Sequence, residues 1–225
     1  MTLKEFGVAF YRAFISPVKA RRSYSQCGED MVLNYLLLDK KQSGFYVDIG
    51  CHNPRRGSNT YHFYKKGWRG LLVDLDPEKI IACRMVRWHD QAIVAAVSDK
   101  NEPVTVYAPD HFSVLATIDA GSKQDNFKAL RTVTSQTLTQ ILDQIMAPHK
   151  FELLCIDAEG VDLAVLKGLD FDRYQAEFIC IEIWEASKGL EGLLASEINR
   201  YLAEKNYALA GWAGMSAIYK LQKIA

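Results

Sequence analysis

The sequence has no excess of charge of either sign and no long apolar run. Its 225 residues include 27 basic and 27 acidic side chains, so the formal net charge is zero. A general nucleic-acid-binding protein needs a strongly cationic face, so this balance argues against that function, although it leaves room for a local basic patch. No stretch approaches the ~20 apolar residues of a membrane span. The N-terminus lacks the uninterrupted apolar core of a signal peptide.

Cysteine and histidine are few and irregularly spaced. No CxxC, HxxH or HxxxH pair occurs, and the number of cysteines is odd. These patterns do not fit a disulfide framework or a zinc site. Cys155 and Cys180 lie inside apolar runs, where cysteine behaves as a small hydrophobic residue. We therefore expect a reduced, cytoplasmic protein.

From residue 45 onward, short apolar runs alternate with helical patterns. Five β-then-α units in series predict an α/β fold with a doubly wound, mostly parallel sheet and helices on both faces. The predicted strands are 45–49, 70–75, 92–97, 151–156, 178–183, 207–211 and 216–221, with a short extra strand at 103–107. The predicted helices are 58–66, one from Pro77, 138–146, 161–169 and 190–202. The polar segment from about 110 to 132 is expected to form a loop over the site.

Residues 1–22 form a separate zone ahead of the domain, which covers residues 23–225. The apolar residues at helical spacing in this zone are Leu3, Phe6, Phe10 and Phe14, with basic residues around them. Pro17 is expected to end or bend the helix. The pattern predicts an amphipathic helix that either packs on the domain or lies on a membrane surface or a partner.

The end of the first predicted strand is where ligands of a doubly wound sheet bind. Asp48 places a carboxylate there, and Gly50 lets the backbone approach a ligand. The GxGxxG pattern that a dinucleotide pyrophosphate needs is missing. A cationic, phosphate-free ligand with an amino group and a ribose fits better, and S-adenosylmethionine is such a ligand. His52 in the same loop is a candidate general base, or else a plain hydrogen-bonded histidine.

Further donor-binding candidates lie around this loop. Asp74 ends the second strand 26 residues after Asp48, and an acidic residue at about this distance commonly binds ribose hydroxyls. Asp76 is a second candidate, or it caps the helix that starts at Pro77. Ser98, directly after the third strand, is also assigned to the cofactor. Glu29 either folds back over the site or stabilises a helix start.

A third group of carboxylates follows the fourth β-then-α strand. Asp157, Glu159 and Asp162 lie within six residues. Asp157 and Glu159 are candidate catalytic residues, because a carboxylate of raised pKa can take the proton of an attacking hydroxyl. Asp157 is also a candidate for donor binding. Alternatively the cluster, joined by Glu182, can hold a hard divalent cation; no metal is predicted.

Several short blocks together resemble the FkbM family of methyltransferases. The matching blocks are 25–30 (SQCGED), 45–50 (FYVDIG), 58–61 (SNTY), 67–70 (GWRG), 156–160 (IDAEG) and 165–169 (VLKGL). The resemblance covers about residues 23 to 185. The segment 73–77 (VDLDP) departs from it, since many members have Glu followed by Pro-Asn-Pro.

This resemblance implies a class I methyltransferase (Rossmann-like) fold with a seven-stranded sheet, and S-adenosylmethionine as methyl donor. It implies O-methylation of a sugar, glycan or similar polar metabolite, in surface-polysaccharide or secondary-metabolite biosynthesis. Asp48 and Gly50 would line the donor, Asp74 would hold its ribose, and Asp157 and Glu159 would border the methyl group. Two alternatives are a nicotinamide-dependent oxidoreductase on the same kind of sheet and a non-catalytic, methyltransferase-like binding module.

Overall fold

The computed structural model describes residues 2–15, 22–37, 43–109, 116–119, 121 and 126–222. The strands are β1 (Phe45–Ile49), β2 (Arg69–Asp74), β3 (Gln91–Val94), β4 (Ala96–Ser98), β5 (Pro103–Ala108), β6 (Lys128–Thr137), β7 (Lys150–Ile156), β8 (Gln175–Glu182), β9 (Tyr207–Ala213) and β10 (Ser216–Leu221). The helices are α1 (Leu3–Phe10), α2 (Glu29–Leu36), α3 (Tyr61–Lys65), α4 (Pro77–Val86), α5 (Leu138–Gln144), α6 (Asp162–Lys167), α7 (Leu190–Ala195) and α8 (Glu197–Glu204).

Seven strands form the central sheet, in the order β3-β2-β1-β7-β8-β10-β9. Neighbouring strands from β3 to β8 are parallel, and β10 runs antiparallel between β8 and β9. The predicted fold class, a doubly wound and mostly parallel seven-stranded sheet, is therefore confirmed. The chain moves outward from β1 through β2 and β3, then returns to β7 on the other side of β1. Strand order thus reverses between β1 and β7, and ligands of such sheets bind at this point, beyond the carboxyl ends.

Apolar side chains cover both faces of the sheet. Alternate residues of a strand point to opposite faces, so Val47 and Ile49 belong to one buried cluster and Tyr46 to the other. The cluster around Val47 includes residues of α5, α6 and α7, and the cluster around Tyr46 includes residues of α2, α3 and α4. Burial on both faces explains why the central strands read as nearly continuous apolar runs.

Three predicted elements differ from the structure. The single strand predicted at 92–97 is two strands, because β3 pairs with β2 whereas β4 pairs with β6 in a separate sheet of order β4-β6-β5. The polar segment predicted as loop to residue 132 is strand from Lys128 onward; residues 110–115, 120 and 122–125 lie outside the described ones. The helix predicted at 190–202 is broken at Ser196, which has ψ 152° and caps α8.

The N-terminal helix is present but does not pack on the domain. Every residue from 2 to 15 is exposed, so the packing alternative is wrong for this structure. A capping box at Thr2 and Glu5 begins α1, and a five-residue π-helical turn, Tyr11–Ile15, continues it. Pro17 falls outside the described residues. Among the residues that the structure describes, no helix has the length and apolar character to cross a membrane.

Candidate active site

One cavity lies at the carboxyl edge of the sheet, where β1, β2 and β7 end. Asp48, Asp74 and Asp157 all line it, together with Gly50, His52 and Glu159. Ile49 pairs with both Val73 and Ile156, so the three strands end at the same level. The sheet therefore brings together carboxylates that are far apart in the sequence.

Gly50 is the point of closest approach between the ends of β1 and β7. Its φ is +78°, and a Cβ placed on it would lie 1.7 Å from the backbone oxygen of Asp157. Only glycine fits both this backbone conformation and this contact. The close approach brings the loop that follows β1 against the loop that follows β7, and residues of both loops line the cavity.

Most backbone amides of the loop after β1 are already hydrogen-bonded within the protein. The amides that donate internally are those of Gly50, Cys51, His52, Arg55, Arg56 and Ser58. The Val73 carbonyl accepts from the first two at 2.8 and 3.1 Å. A dinucleotide site needs several free amides at this position to bind the pyrophosphate. Few amides of this loop are therefore left to bind a pyrophosphate.

The Asp74 side chain is held in place by backbone amides, one of them from the loop that follows β1. Its two carboxylate oxygens accept from the amides of His52 (3.0 Å) and Asp76 (2.9 Å). The ammonium of Lys79 lies 3.8 Å from Asp74 Oδ1. Each carboxylate oxygen can accept a second hydrogen bond, so this fixed side chain is suited to bind the hydroxyls of a ribose.

Asp48 is buried and paired with a buried arginine that the sequence analysis missed. The Thr60 hydroxyl donates to Asp48 Oδ2, and Arg87 Nη1 lies 3.9 Å from the same oxygen. Arg87 Nη1 also donates to Thr60 Oγ1 at 2.9 Å, and Arg87 Nε donates to Asp90 Oδ2 at 2.8 Å. Burial raises the pKa of Asp48, while Arg87 and Thr60 oppose that rise. Arg87 therefore helps to keep a carboxylate ionised inside the protein.

The carboxyl groups that follow β7 and end β8 lie close to one another, so their negative charges repel. Burial, followed by the neighbouring Glu182, Asp162 and Glu159, raises the pKa of Asp157 well above its usual value. Burial also raises the pKa of Glu182 to about 7, although Trp184 Nε1 donates to it at 2.8 Å. Such a cluster favours a bound cation, because the cation relieves the repulsion.

His52 and Asp157 lie toward different ends of the cavity. The charges that influence the pKa of His52 are those of Lys79, Asp74 and Asp76, whereas those influencing Asp157 belong to the β7 and β8 loops and Asp48. Burial and Lys79 lower the pKa of His52. The His52 amide donates to Asp74 Oδ2 at 3.0 Å, so His52 lies with Asp74 at the end of β2. Asp157 follows β7, and its amide donates to the Ile49 carbonyl of β1.

A family model described as the Methyltransferase FkbM domain matches residues 48–209, which span all three strand ends of the cavity. The chain belongs to the FkbM methyltransferase family. No curated protein matches it in sequence.

Solved methyltransferase structures resemble the chain at low identity. A TehB-like SAM-dependent methyltransferase from Corynebacterium glutamicum shares 14% identity over 97% of both chains, with a TM-score of 0.45. An O-methyltransferase from Bacillus cereus in complex with SAH shares 11% identity over 96% of this chain and 89% of that one, with a TM-score of 0.47. The bifunctional kinase-methyltransferase WbdD shares 15% identity over 86% of this chain and 37% of its own, with a TM-score of 0.43.

Three residues predicted to bind the cofactor lie outside the cavity lining of this FkbM methyltransferase domain, and each has a structural role. The Asp76 side chain caps α4 by accepting from the Glu78 amide at 2.8 Å. Ser98 is buried, and its hydroxyl donates to Asp99 Oδ1 at 3.3 Å. Glu29 is buried at the start of α2 and accepts from the Cys27 amide at 2.7 Å. Local hydrogen bonding therefore explains these side chains without a ligand.

Further residues of the described chain also line the cavity, including part of the segment that was expected to lie over the site. Gln26 and Asn59 contribute amide side chains, and Asn59 Oδ1 is buried with no hydrogen-bond partner in the described part of the chain. An orphaned buried polar atom in a cavity wall indicates a missing ligand or solvent contact. Thr117, on the segment 116–119, donates to the Glu159 carbonyl at 2.9 Å. That segment therefore contacts the β7 loop and forms another wall of the cavity.

All five cysteines are free, as expected from their spacing. Within the described ranges, no group of three or more His, Cys, Asp or Glu side chains is arranged to hold a metal ion.

Proposed function

We propose that this FkbM methyltransferase domain binds S-adenosylmethionine and transfers its methyl group to a hydroxyl of a sugar, glycan or similar polar metabolite. The observation that carries the proposal is the meeting of Asp48, Asp74 and Asp157 around one cavity at the strand-order reversal. The acidic lining favours a sulfonium ligand over an anionic one. The internally bonded amides of the β1 loop count against the nicotinamide alternative.

The cavity offers a matching surface for each part of the donor. We assign Asp74 to the ribose hydroxyls and Asp48 to the cationic amino-acid end. Leu75, Ile118 and the segment 95–97 give the cavity an apolar wall that suits a flat nucleobase. The polar groups are fixed before binding by the bonds described above, so little ordering is required when the donor binds.

We assign Asp157 as the general base that removes the proton of the acceptor hydroxyl. When bound, S-adenosylmethionine supplies a methyl group on a positively charged sulfur. The acceptor oxygen must lose its proton as it forms the new bond to carbon, and Asp157, with its raised pKa, is suited to take it. His52 is less suited because it lies beside Asp74, at the ribose side. Burial and the neighbouring Asp162 raise the pKa of Glu159, while Lys79 lowers it, so Glu159 stays a second candidate base beside Asp157.

The acceptor class rests on the family resemblance and on the polar, uncharged groups of the wall. Gln26 and Asn59 present amides that can donate to and accept from hydroxyl groups. The unpartnered Asn59 Oδ1 is available to accept from an acceptor hydroxyl. A hydroxyl-rich metabolite such as a sugar therefore fits this wall better than an apolar compound does.

Asp74→Ala is expected to weaken donor binding at least about tenfold, because it removes a charge-assisted hydrogen-bond acceptor. Asp76→Ala, the matched control two residues away, is expected to leave donor affinity unchanged, since that side chain caps α4. Titration calorimetry with S-adenosylmethionine and with NAD measures both effects. Binding of NAD in place of S-adenosylmethionine, or equal losses in the two variants, would overturn the assignment.

Asp157→Asn is expected to lower turnover about 10²-fold or more while donor affinity stays near wild type, because general-base catalysis contributes on this scale. In the wild type, the rate rises with pH as the Asp157 carboxyl ionises, through a range above the usual value for Asp. The variant lacks this limb of the pH profile. Transfer of labelled methyl to candidate nucleotide sugars, measured across pH, tests the assignment; an unchanged profile in the variant removes Asp157 from the chemistry.

A further inference from the structure

The N-terminal helix exposes an apolar face. Leu3 is 94% exposed, Phe14 77% and Phe6 56%. For comparison, the aromatic residues Tyr46, Phe63 and Phe178 are among the largest fully buried side chains of the domain. Exposing large apolar side chains to water is unfavourable. An exposed row of them on one element marks a surface that is covered by something else.

The apolar residues form one continuous row along the helix. Phe6, Phe10 and Phe14 follow one another at four-residue spacing, so they lie on the same face. Their ring centroids are 6.5 Å apart for the first pair and 5.1 Å for the second. Lys4 and Arg12 lie on a different side of the helix, where they line a shallow groove with Glu5, Val8 and Ala9. The element is therefore amphipathic, with a row of Phe side chains on one side and two basic side chains on another.

The charge of the segment is opposite to that of the rest of the chain. Residues 1–22 contain five of the 27 basic residues and one of the 27 acidic residues. The segment thus carries a formal charge of +4 and the remaining chain −4, although the whole is neutral. Lys4, Arg12 and Glu5 give the helix itself +1, and Lys19, Arg21 and Arg22 follow it in the sequence. A cationic segment with an aromatic row is complementary to a surface that offers anionic groups beside an apolar region, and it is repelled by the same segment of another copy.

We propose that residues 2–15 form an interfacial helix that docks the protein on an anionic lipid bilayer. The Phe row enters the boundary between headgroups and acyl chains, while Lys4 and Arg12 extend toward the lipid phosphates. This placement brings the cavity to acceptors held at a membrane surface, and it does not depend on the proposed methyl transfer.

Sedimentation of the full chain with lipid vesicles tests the docking. The wild type is expected to bind vesicles that contain about one-third phosphatidylglycerol at least about tenfold more tightly than pure phosphatidylcholine vesicles, with binding that weakens as salt rises. Substituting Phe6, Phe10 and Phe14 together by Ser is expected to reduce binding to background. Lys4→Gln with Arg12→Gln is expected to weaken binding to the anionic vesicles about tenfold.

Controls separate docking from folding and from the active site. Trp88→Ser removes an exposed aromatic residue (70% exposed) outside the helix and is expected to leave vesicle binding unchanged. All variants are expected to keep the wild-type thermal unfolding temperature and S-adenosylmethionine affinity, because the helix does not pack on the domain. The proposal is overturned if the wild type does not bind anionic vesicles or if the triple Phe variant binds like wild type. It is also overturned if the Phe row instead holds two copies together in sedimentation equilibrium without lipid binding.

Discussion

Gly50→Ala is expected to abolish donor binding and to destabilise the fold by about 3 kcal/mol or more, because strain and overpacking add at one site. The new Cβ would lie 1.7 Å from the Asp157 backbone oxygen, so the ends of β1 and β7 would have to separate. That movement breaks the hydrogen bond from the Asp157 amide to the Ile49 carbonyl, which is 3.0 Å long. The two walls of the cavity would shift together, and the donor site would be lost with them.

Gly67→Ala provides the matched control. Gly67 has φ +94°, and a Cβ placed on it meets nothing within 4 Å. This variant therefore carries the unfavourable backbone conformation without the clash, and it is expected to cost only about 1–2 kcal/mol and to bind donor normally. Chemical unfolding and titration calorimetry measure both quantities. Equal stability losses in the two variants would show that the approach of β1 to β7 has no special role.

The central strands could be predicted from the sequence because burial on both faces requires apolar residues throughout. The strand β6 could not, because half of its residues are exposed and only Ser135 among them is buried. Its position depends on pairing with β4 and β5 rather than on its own composition. The break at Ser196 was missed for a related reason, since α7 and α8 continue one apolar periodicity across an extended residue.

The strand-end carboxylates could be placed because parallel strands bring their carboxyl ends to one edge of the sheet. The sequence could not distinguish Asp74 from Asp76, because only local hydrogen bonding shows that one lines the cavity and the other caps α4. Whether these lining residues bind the donor stays a prediction. Arg87 gave no signal, because an arginine after a helix is ordinarily solvated, and its partners Asp48 and Thr60 are 39 and 27 residues away.

Arg87, which pairs with Asp48, is buried, unlike the exposed arginines among the described residues. Arg87 is 1% exposed, and its guanidinium lies over the rings of Tyr46 and Tyr64 at 5.1 and 5.4 Å from their centroids. The Tyr46 hydroxyl of β1 donates to Asp90 Oδ2 at 2.6 Å. Asp90 therefore accepts hydrogen bonds from both Tyr46 and Arg87. Under the proposed donor assignment, Arg87 is a positioning residue, because it contacts Asp48 and would act on the donor through that carboxylate.

Arg87→Met is expected to destabilise the protein by about 3–5 kcal/mol, since it leaves two buried carboxylates without their cation. Arg173→Met is the matched control: Arg173 pairs with Asp143 at 2.6 Å and lies by the Tyr174 ring, but its side chain is 48% exposed. Its loss is expected to cost less than about 1 kcal/mol. Urea unfolding measures the free energy of unfolding of both variants. Similar losses in the two would show that burial does not make the Arg87 ion pairs more important for stability than the exposed Arg173 pair.

The loss of folding stability in Arg87→Met is expected to grow as the pH rises. Burial already raises the pKa of Asp48 and Asp90, and Arg87 opposes that rise in both. Without Arg87 the folded-state pKa values rise further above the unfolded ones, so stability falls as pH rises through them. The variant should therefore lose most stability near about pH 7.5 and less near about pH 5, where the carboxyls take up protons. Donor affinity should also fall at neutral pH, because a protonated Asp48 cannot hold a cationic amino group. A deficit that stays constant across this range would mean that Arg87 contributes packing alone.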